Sequence, residues 1–369
     1  MTDKLRVAVV FGGRSGEHEV SLMSARSVLS ALDPARYEIL PVGIRKDGRW
    51  FGGPDALSAF LEGRAEILDP VAIVGEPGHR ALFRWEPGRE LELLQRIDVV
   101  FPVTHGSYGE DGTLQGLLEM ADVPYVGCGV LASSVAMDKG LFKELMRVRG
   151  IPVAESVLFP SSWIEDRRDE VMQRAEAVAP YPLFTKPANL GSSVGVSKCR
   201  SRSDLYEGLI DAARYDRRVL VERGIEAREI EVSVLGNEAP EASVVGEIIP
   251  SDEFYSYRAK YLDETSRLLI PAPVDPGIAA EVRRLAVEAF KAIDGAGMAR
   301  ADFLLERSTG NLYLNELNTI PGFTKISMYP KLWEAAGLSY SALMDRLIEL
   351  ALERQSQKDR LIREYGGAG

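Results

Sequence analysis

The chain has 369 residues, 46% hydrophobic and 27% charged, the composition of a folded globular protein rather than a fibre or a disordered chain, and at ~150 residues per domain it allows two or three domains. Lys plus Arg number 44 against 55 Asp plus Glu, a net charge of −11 that phosphate backbones and anionic lipids would repel, which argues against a general nucleic-acid or membrane-surface binder. Two cysteines build no disulfide framework, three histidines argue against a zinc site, and neither a signal-peptide core nor the ~18 apolar residues of a membrane span is found, so the expectation is a cytoplasmic protein.

The N-terminal third alternates short apolar runs with helical patterns. Residues 7–11, 37–44 and 98–103 read as strands, 21–32 and 114–120 as helices, and 125–127 as one more short strand. That alternation predicts a βαβ arrangement with a parallel sheet. Residues 46–92, punctuated by Gly48, Gly52, Gly53, Pro54, Pro77-Gly78 and Pro87-Gly88, read as hairpins and short helices inserted at the edge. A Lys/Arg-rich helix over 138–150 leads to a domain junction at Ile151-Pro152. Beyond it, 182–187, 219–223 and 230–235 read as antiparallel strands, with helices at 166–179 and 204–215. The tyrosine-rich 251–264 has no period, and a loop of that length is usually functional or mobile. A long helix over 278–293 precedes a hairpin of 298–305 and 312–317, and a final helix, 341–355, runs into a charged tail.

Four segments could carry chemistry. Gly12 to Glu19 follows a strand and opens a helix, so its N–H groups could face an anion, but it matches neither a dinucleotide fingerprint nor a P-loop. Glu17 and Glu19 around His18 suit a substrate ammonium, while the glycines alone suit a plain tight turn. His105 to Gly116 stands at another strand's carboxyl end, where open α/β sheets bind ligands, and Asp111 or Thr113 also suits an ordinary helix start. Lys186 ends a strand before the Gly191-Ser192-Ser193 loop, and with Lys139 it could clamp phosphate; a flexible hairpin loop is the plainer alternative. The fourth is the most specific. Glu316 and Asn318 are two apart on one strand and share a face, with Asp302 opposite across the hairpin. Three oxygen donors without His or Cys suit a hard cation such as magnesium, and Arg300 beside Asp302 could hold a phosphate or a developing oxyanion. The alternative is a solvent-facing polar face.

Taken together, these segments resemble the D-alanine–D-alanine ligase family of ATP-grasp enzymes. The match runs through Gly12-Gly13-x-Ser15-x-Glu17-x-Glu19-Val20-Ser21, His105-Gly106-x-x-Gly109-Glu110-Asp111-Gly112, Met137-Asp138-Lys139 and Lys186-Pro187 with Gly191-Ser192-Ser193-Val194-Gly195. It continues through Tyr255-x-Tyr257-x-Ala259-Lys260-Tyr261, Arg300-x-Asp302 and Glu316-x-Asn318-Thr319-x-Pro321-Gly322, in the family order. The resemblance implies an α/β and α+β chain in three parts: a Rossmann-like N-terminal domain (1–135), a central ATP-binding lobe (136–228) and a C-terminal ATP-grasp lobe with metal ligands (229–369). It implies a cytoplasmic homodimer that makes D-alanyl-D-alanine for peptidoglycan precursors from ATP and D-alanine, through a D-alanyl phosphate. Two Mg2+ (or Mn2+) would sit on Asp302, Glu316 and Asn318. ATP would meet Lys139, Lys186, Ser193, Glu222, Arg223, Ile225, Glu229, Phe254 and Lys260. Glu17 would hold the first D-alanine's ammonium near His105, Arg300 and the Gly322 N–H the oxyanion, and Ser327 and Met328 the second carboxylate. Ser192 and Tyr261 would join Glu17 in a triad closing the 251–264 loop. Arg223-Gly224 departs from the family's usual Lys-Trp, and Thr319-Ile320 from Thr-Ser. The rival readings are a D-lactate or D-serine ligase of the same fold, another ATP-grasp ligase, and a nucleotide-binding regulator without catalysis.

Overall fold

The computed structural model describes residues 4–249, 267–324 and 326–362, and among them forms three sheets with flanking helices. Phe254, Lys260 and Tyr261, with the rest of the 251–264 segment, lie outside the described residues. The first sheet is built from β1 (Leu5–Gly12), β2 (Tyr37–Ile44), β3 (Trp50–Gly52), β4 (Asp69–Ile73), β5 (Ala81–Arg84), β6 (Glu92–Arg96) and β7 (Val99–Pro102). Helices α1 (His18–Ala31), α2 (Ala56–Leu61), α3 (Thr113–Met120) and α4 (Val130–Met137) belong to the same third of the chain. Strand order is β6-β5-β4-β3-β2-β1-β7. The β2-β1-β7 core is parallel and the 46–92 region continues it with antiparallel strands.

β1 is apolar from Val7 to Phe11 because both its faces are covered: Val7, Val9 and Phe11 enter one core, Ala8 and Val10 another. α1 starts at His18, three residues before the apolar period, and the strand expected at 125–127 is reduced to one bridge between Val100 and Tyr125.

The second sheet follows α5 (Lys139–Val148), whose N-cap Asp138 accepts from the N–H groups of Gly140 at 3.1 Å and Leu141 at 3.0 Å. Its elements are β8 (Ser156–Pro160), α6 (Trp163–Asp166), α7 (Arg168–Glu176), β9 (Leu183–Pro187), β10 (Ser197–Cys199), α8 (Arg202–Ala213) and β11 (Arg218–Arg223), with strand order β10-β9-β11-β8. Alternation puts Leu183, Val219 and Val221 in the core and Phe184, Lys186 and Glu222 on the opposite face.

The third sheet comprises β12 (Ala227–Gly236), β13 (Glu241–Ile249), β14 (Arg267–Leu269), β15 (Gly297–Glu306) and β16 (Leu312–Asn318), ordered β14-β13-β12-β15-β16 and wholly antiparallel. Ile230, Val232, Val234, Ala299, Ala301 and Phe303 pack against α9 (Pro276–Ala292). The register sets Glu229, Glu231 and Ser233 beside Leu304, Asp302 and Arg300 on the other face. The sheet changes between Arg223 and Ala227. Helices α10 (Met328–Ala335) and α11 (Tyr340–Asp359) return to the N-terminal core, where Leu343, Leu347 and Ile348 meet Val7, Phe11 and Phe101. Each such buried side chain contributes about 1.5–3 kcal/mol, and Arg354 (to the Tyr125 carbonyl, 3.1 Å) and Gln355 (to Asp122, 2.9 Å) add polar anchors. First and last segments are thereby held as one body under the site.

Candidate active site

The first two motif loops leave the carboxyl ends of β1 and β7, neighbours from which the chain departs in opposite directions to reach β2 and α3, the place where open α/β sheets bind ligands. There Ser15 donates to the His105 carbonyl at 2.6 Å and accepts from the Glu17 N–H at 3.0 Å, tying the loops together. Glu17 is 8% exposed, and Ser192 from the loop between β9 and β10 donates to it. Two glycines make room for that carboxylate. A Cβ on Gly106, whose φ is +74°, would stand 2.6 Å from Glu17 Oε2, and one on Gly191 would stand 2.8 Å from it. Ser192 and Ser193 have φ of +52° and +58°, an uncommon conformation away from glycine.

One pocket is lined by Glu17, His105, Lys139, Ser192, Arg300, Glu316, Asn318 and Gly322. A neighbouring cleft of about 750 Å³ is lined by Lys186, Ser193, Glu222, Ile225, Glu229 and Asp302, and shares Lys139, Ser192 and Glu316 with the first. It is within the ~300–1,000 Å³ usual for ligand sites. Lys139 opens α5, donates from Nζ to the Leu190 carbonyl at 2.6 Å and stands 3.9 Å from Glu316. Lys186 pairs with Glu222, whose other oxygen is 3.1 Å from the buried Lys143. Burial alone would raise the Glu222 carboxyl, but the two ammonium groups bring it down to about 2.

Asp302 pairs in register with Glu316, and Arg300 with Asn318, as the hairpin spacing required. Arg300 grips Asp302 through two bonds of 2.7 Å, and Asn318 donates to Asp302 at 2.9 Å. Among the described residues no three His, Cys, Asp or Glu side chains converge as a metal site, so the candidate set is two carboxylates and an amide. Two carboxylates and an amide side by side on one sheet face are the hard donor types that suit magnesium.

Other expected residues are placed differently. Arg223 lies on the face of β11 opposite Glu222, where Glu306, Glu155 at 3.5 Å and Tyr313 at 3.4 Å take its guanidinium; only its main chain is left for a nucleotide. Met328 is 4% exposed in a small core with Ile248 and Leu332, so its side chain is unavailable too. Ser327 lies beside Gly322, where a Cβ would come within 2.8 Å of Ser327 Oγ, and it accepts from the Thr324 N–H at 3.0 Å. His105 is 3% exposed with both ring nitrogens bonded, and burial pushes its pKa down to about 4. Asp111 closes a turn, accepting from Tyr108 at 2.8 Å and Thr113 at 3.0 Å, and Gly112 occupies the N-cap of α3.

Three residues in or against the site were given no role by the motif reading, although Glu110 stands inside one of the quoted motifs. Glu231 is 3.0 Å from Arg300, and the alternation of Glu229, Glu231 and Ser233 could have signalled it. Glu110 joins Glu17 in the pocket, accepts from the Gly106 N–H at 2.7 Å and is raised well above the usual carboxylate range by burial and by the Glu17 charge. Lys143 is one helical turn beyond Lys139, between the buried Phe142 and Met146.

Two family models match. One, described as the D-ala D-ala ligase N-terminus, covers residues 6–128; the other, the D-ala D-ala ligase C-terminus, covers 145–349. A relative from Thermoanaerobacter sp. (strain X514) named D-alanine--D-alanine ligase is 53% identical over 360 residues, 97% of this chain and 99% of its own. Another of that name, from Natranaerobius thermophilus, is 49% identical over 97% of each chain. Among solved structures, the D-alanine-D-alanine ligase from Coxiella burnetii superposes with a TM-score of 0.82 at 36% identity over 98% of each chain. The VanG D-Ala:D-Ser ligase from Enterococcus faecalis superposes with a TM-score of 0.84 at 35% identity, covering 95% of this chain and 100% of its own. The chain belongs to the D-ala D-ala ligase family.

Proposed function

We propose that this protein joins two molecules of D-alanine into D-alanyl-D-alanine, coupled to cleavage of ATP to ADP and phosphate. The carboxylate of the first D-alanine attacks the γ-phosphorus, expelling ADP and forming an acyl phosphate. The amine of the second attacks that carbonyl carbon, loses a proton, and the tetrahedral intermediate expels phosphate. The observation that carries this reading is the convergence of Glu17, Arg300 and Gly322 on one pocket that abuts a cleft lined by lysines and oxygen ligands.

In this reading Glu17 pairs with the first ammonium while Ser192 bonds its other side. Lys139, Lys186 and the Ser193 loop hold the phosphates, and Glu222, Ile225, Glu229 and the Arg223 main chain bound the nucleotide. Arg300 and the Gly322 N–H stabilise the oxyanion, where a preorganised donor is worth roughly 10²–10³ in rate. Ser327 and the Met328 main chain receive the second carboxylate. Asp302, Glu316 and Asn318 would hold two magnesium (or manganese) ions, which when bound would supply positive charge against that of the phosphates. The Ser15–His105 and Ser192–Glu17 bonds draw three motif loops together around the pocket, and in this reading they serve to keep off water that would hydrolyse an acyl phosphate. Phe254, Lys260 and Tyr261 belong to the same reading as a closing segment over the site. We further read a homodimer in the cytoplasm, to be checked by sedimentation; no helix among the described residues is long and apolar enough to cross a membrane.

Purified protein with ATP, magnesium and D-alanine is the test, with D-serine, D-lactate and L-alanine offered as second substrates. Dipeptide formed in step with phosphate from D-alanine alone supports the reading. Phosphate released only with another acid or amine keeps the phosphoryl chemistry and sinks the substrate assignment.

A further inference from the structure

We propose that Ser24 and His105 are positioning residues that clamp the two ends of the Ile320–Phe323 turn, so that the Gly322 N–H is held on the reacting carbonyl. His105 Nδ1 lies 3.0 Å from the Ile320 carbonyl oxygen, and its Nε2 lies 2.9 Å from Ser24 Oγ. Ser24 Oγ in turn accepts from the Phe323 N–H at 3.4 Å. The chain of bonds leaves the turn at Phe323, crosses α1 and the His105 loop, and re-enters the turn at Ile320.

The tautomer follows from the partners. A carbonyl oxygen can only accept, so Nδ1 carries the proton. The ring is 3% exposed and shares its pocket with the Arg300 guanidinium, surroundings that keep it neutral, in line with a pKa pushed down to about 4. Nε2 therefore holds a lone pair and accepts from the Ser24 hydroxyl, which leaves Ser24 Oγ to receive the Phe323 N–H. Both ring nitrogens are spent on protein, so His105 has no donor left for a substrate carboxylate and no lone pair for an ammonium. This revises the expectation that His105 binds D-alanine.

Between the two anchors stand Pro321, which has no N–H, and Gly322, which supplies the one main-chain donor of that stretch. Tyr340 fixes the far end by donating to the Phe323 carbonyl at 2.7 Å, and the Phe323 ring is wedged between Phe101 and Tyr329. Ser24 is fully buried on the inner face of α1 beside Ala25 and Val28, where the bond it makes is its reason to be polar. An ångström of drift in an oriented donor can cost roughly 10²-fold in rate.

The inference rests on the ligase reading for the role of Gly322, but its first test does not. The chain has three histidines, so 15N-histidine spectra of the intact wild-type protein are assignable with one variant each. His105 should show the neutral Nδ1–H tautomer without titrating from pH 6 to 9. An Nε2–H tautomer, or an imidazolium in that range, overturns the clamp whatever the enzyme makes. The second test is kinetic, on Ser24→Ala, His105→Asn and the double variant. Asn sets an amide nitrogen where Nδ1 stood and keeps the Ile320 bond while losing Ser24. Each single variant should lower kcat roughly 10- to 100-fold with KM for D-alanine within about twofold, and the double should be no worse than either. Wild-type kcat in Ser24→Ala, multiplicative losses, or a raised KM for D-alanine at unchanged kcat in His105→Asn would each refute it. A wild-type protein that makes no dipeptide sinks the ligase reading alone and leaves the spectroscopic result standing.

Discussion

Replacing Lys143 by Met should destabilise the protein although Lys143 does not itself line either pocket. Its side chain is 2% exposed, 3.1 Å from Glu222, which is itself 4% exposed. Breaking a buried ion pair by removing one partner costs about 3–5 kcal/mol, because the other charge stays buried. Lys186 remains on the second Glu222 oxygen, so the low end, about 3 kcal/mol, is expected. The two ammonium groups together hold the Glu222 carboxyl at about 2 against the upward push of burial, so part of that shift stays with Lys186 in the variant. The sign follows from the direction. A depressed carboxyl contributes stability above its unfolded value of 4.5 and loses it as pH falls toward 2. The gap between wild type and Lys143→Met should therefore be full at pH 7 and narrow at pH 3.5. Because burial lowers the Lys143 ammonium too, the intact pair has modest net worth. Lys143→Met with Glu222→Met should recover most of the loss. Urea-unfolding midpoints of wild type, both singles and the double, at the two pH values, decide the matter. A single variant as stable as wild type, or a gap that widens on acidification, refutes the reasoning.

Three further substitutions test the same structure. Glu17→Gln keeps an acceptor for Ser192 but loses the charge for the ammonium, so kcat/KM for D-alanine should fall roughly 10- to 100-fold. The same change relieves Glu110, which burial and the Glu17 charge hold above its usual range, so thermal melting near pH 7 should rise as activity falls; a lower melting point would contradict the repulsion. Arg300→Lys keeps a positive charge but loses the paired 2.7 Å bonds to Asp302, and kcat should drop by roughly 10²; activity within threefold of wild type would mean the fork geometry is dispensable. Gly109→Ala sets a Cβ 2.7 Å from Thr104 Oγ1 and 2.8 Å from the Thr104 carbonyl, for about 1–3 kcal/mol of overpacking, and an unchanged unfolding midpoint would show that the loop yields.

The chain sequence by itself determined the features set by local period and backbone chemistry. The apolar run of β1 announced a strand covered on both faces, and the glycine loops after β1 and β7 marked strand ends that open on the pocket. Residues two apart on a strand must share a face, so Glu316 and Asn318 were bound to meet Asp302 once the hairpin formed. Short strands such as β8 and β10 had no such signal, because three to five residues with mixed burial carry no period. What the tertiary structure alone decided concerns partners distant in sequence. That Ser24 and His105 share a turn 215 residues beyond the histidine depends on α10 and α11 folding back onto the N-terminal core. Likewise Glu231 reaches Arg300 only through the β12–β15 register, and Lys143 reaches Glu222 only because α5 lies against the second sheet, where Gly140 meets Leu158. A side chain's face follows from its neighbours in the chain, but its partner and its charge state follow from what packing buries against it.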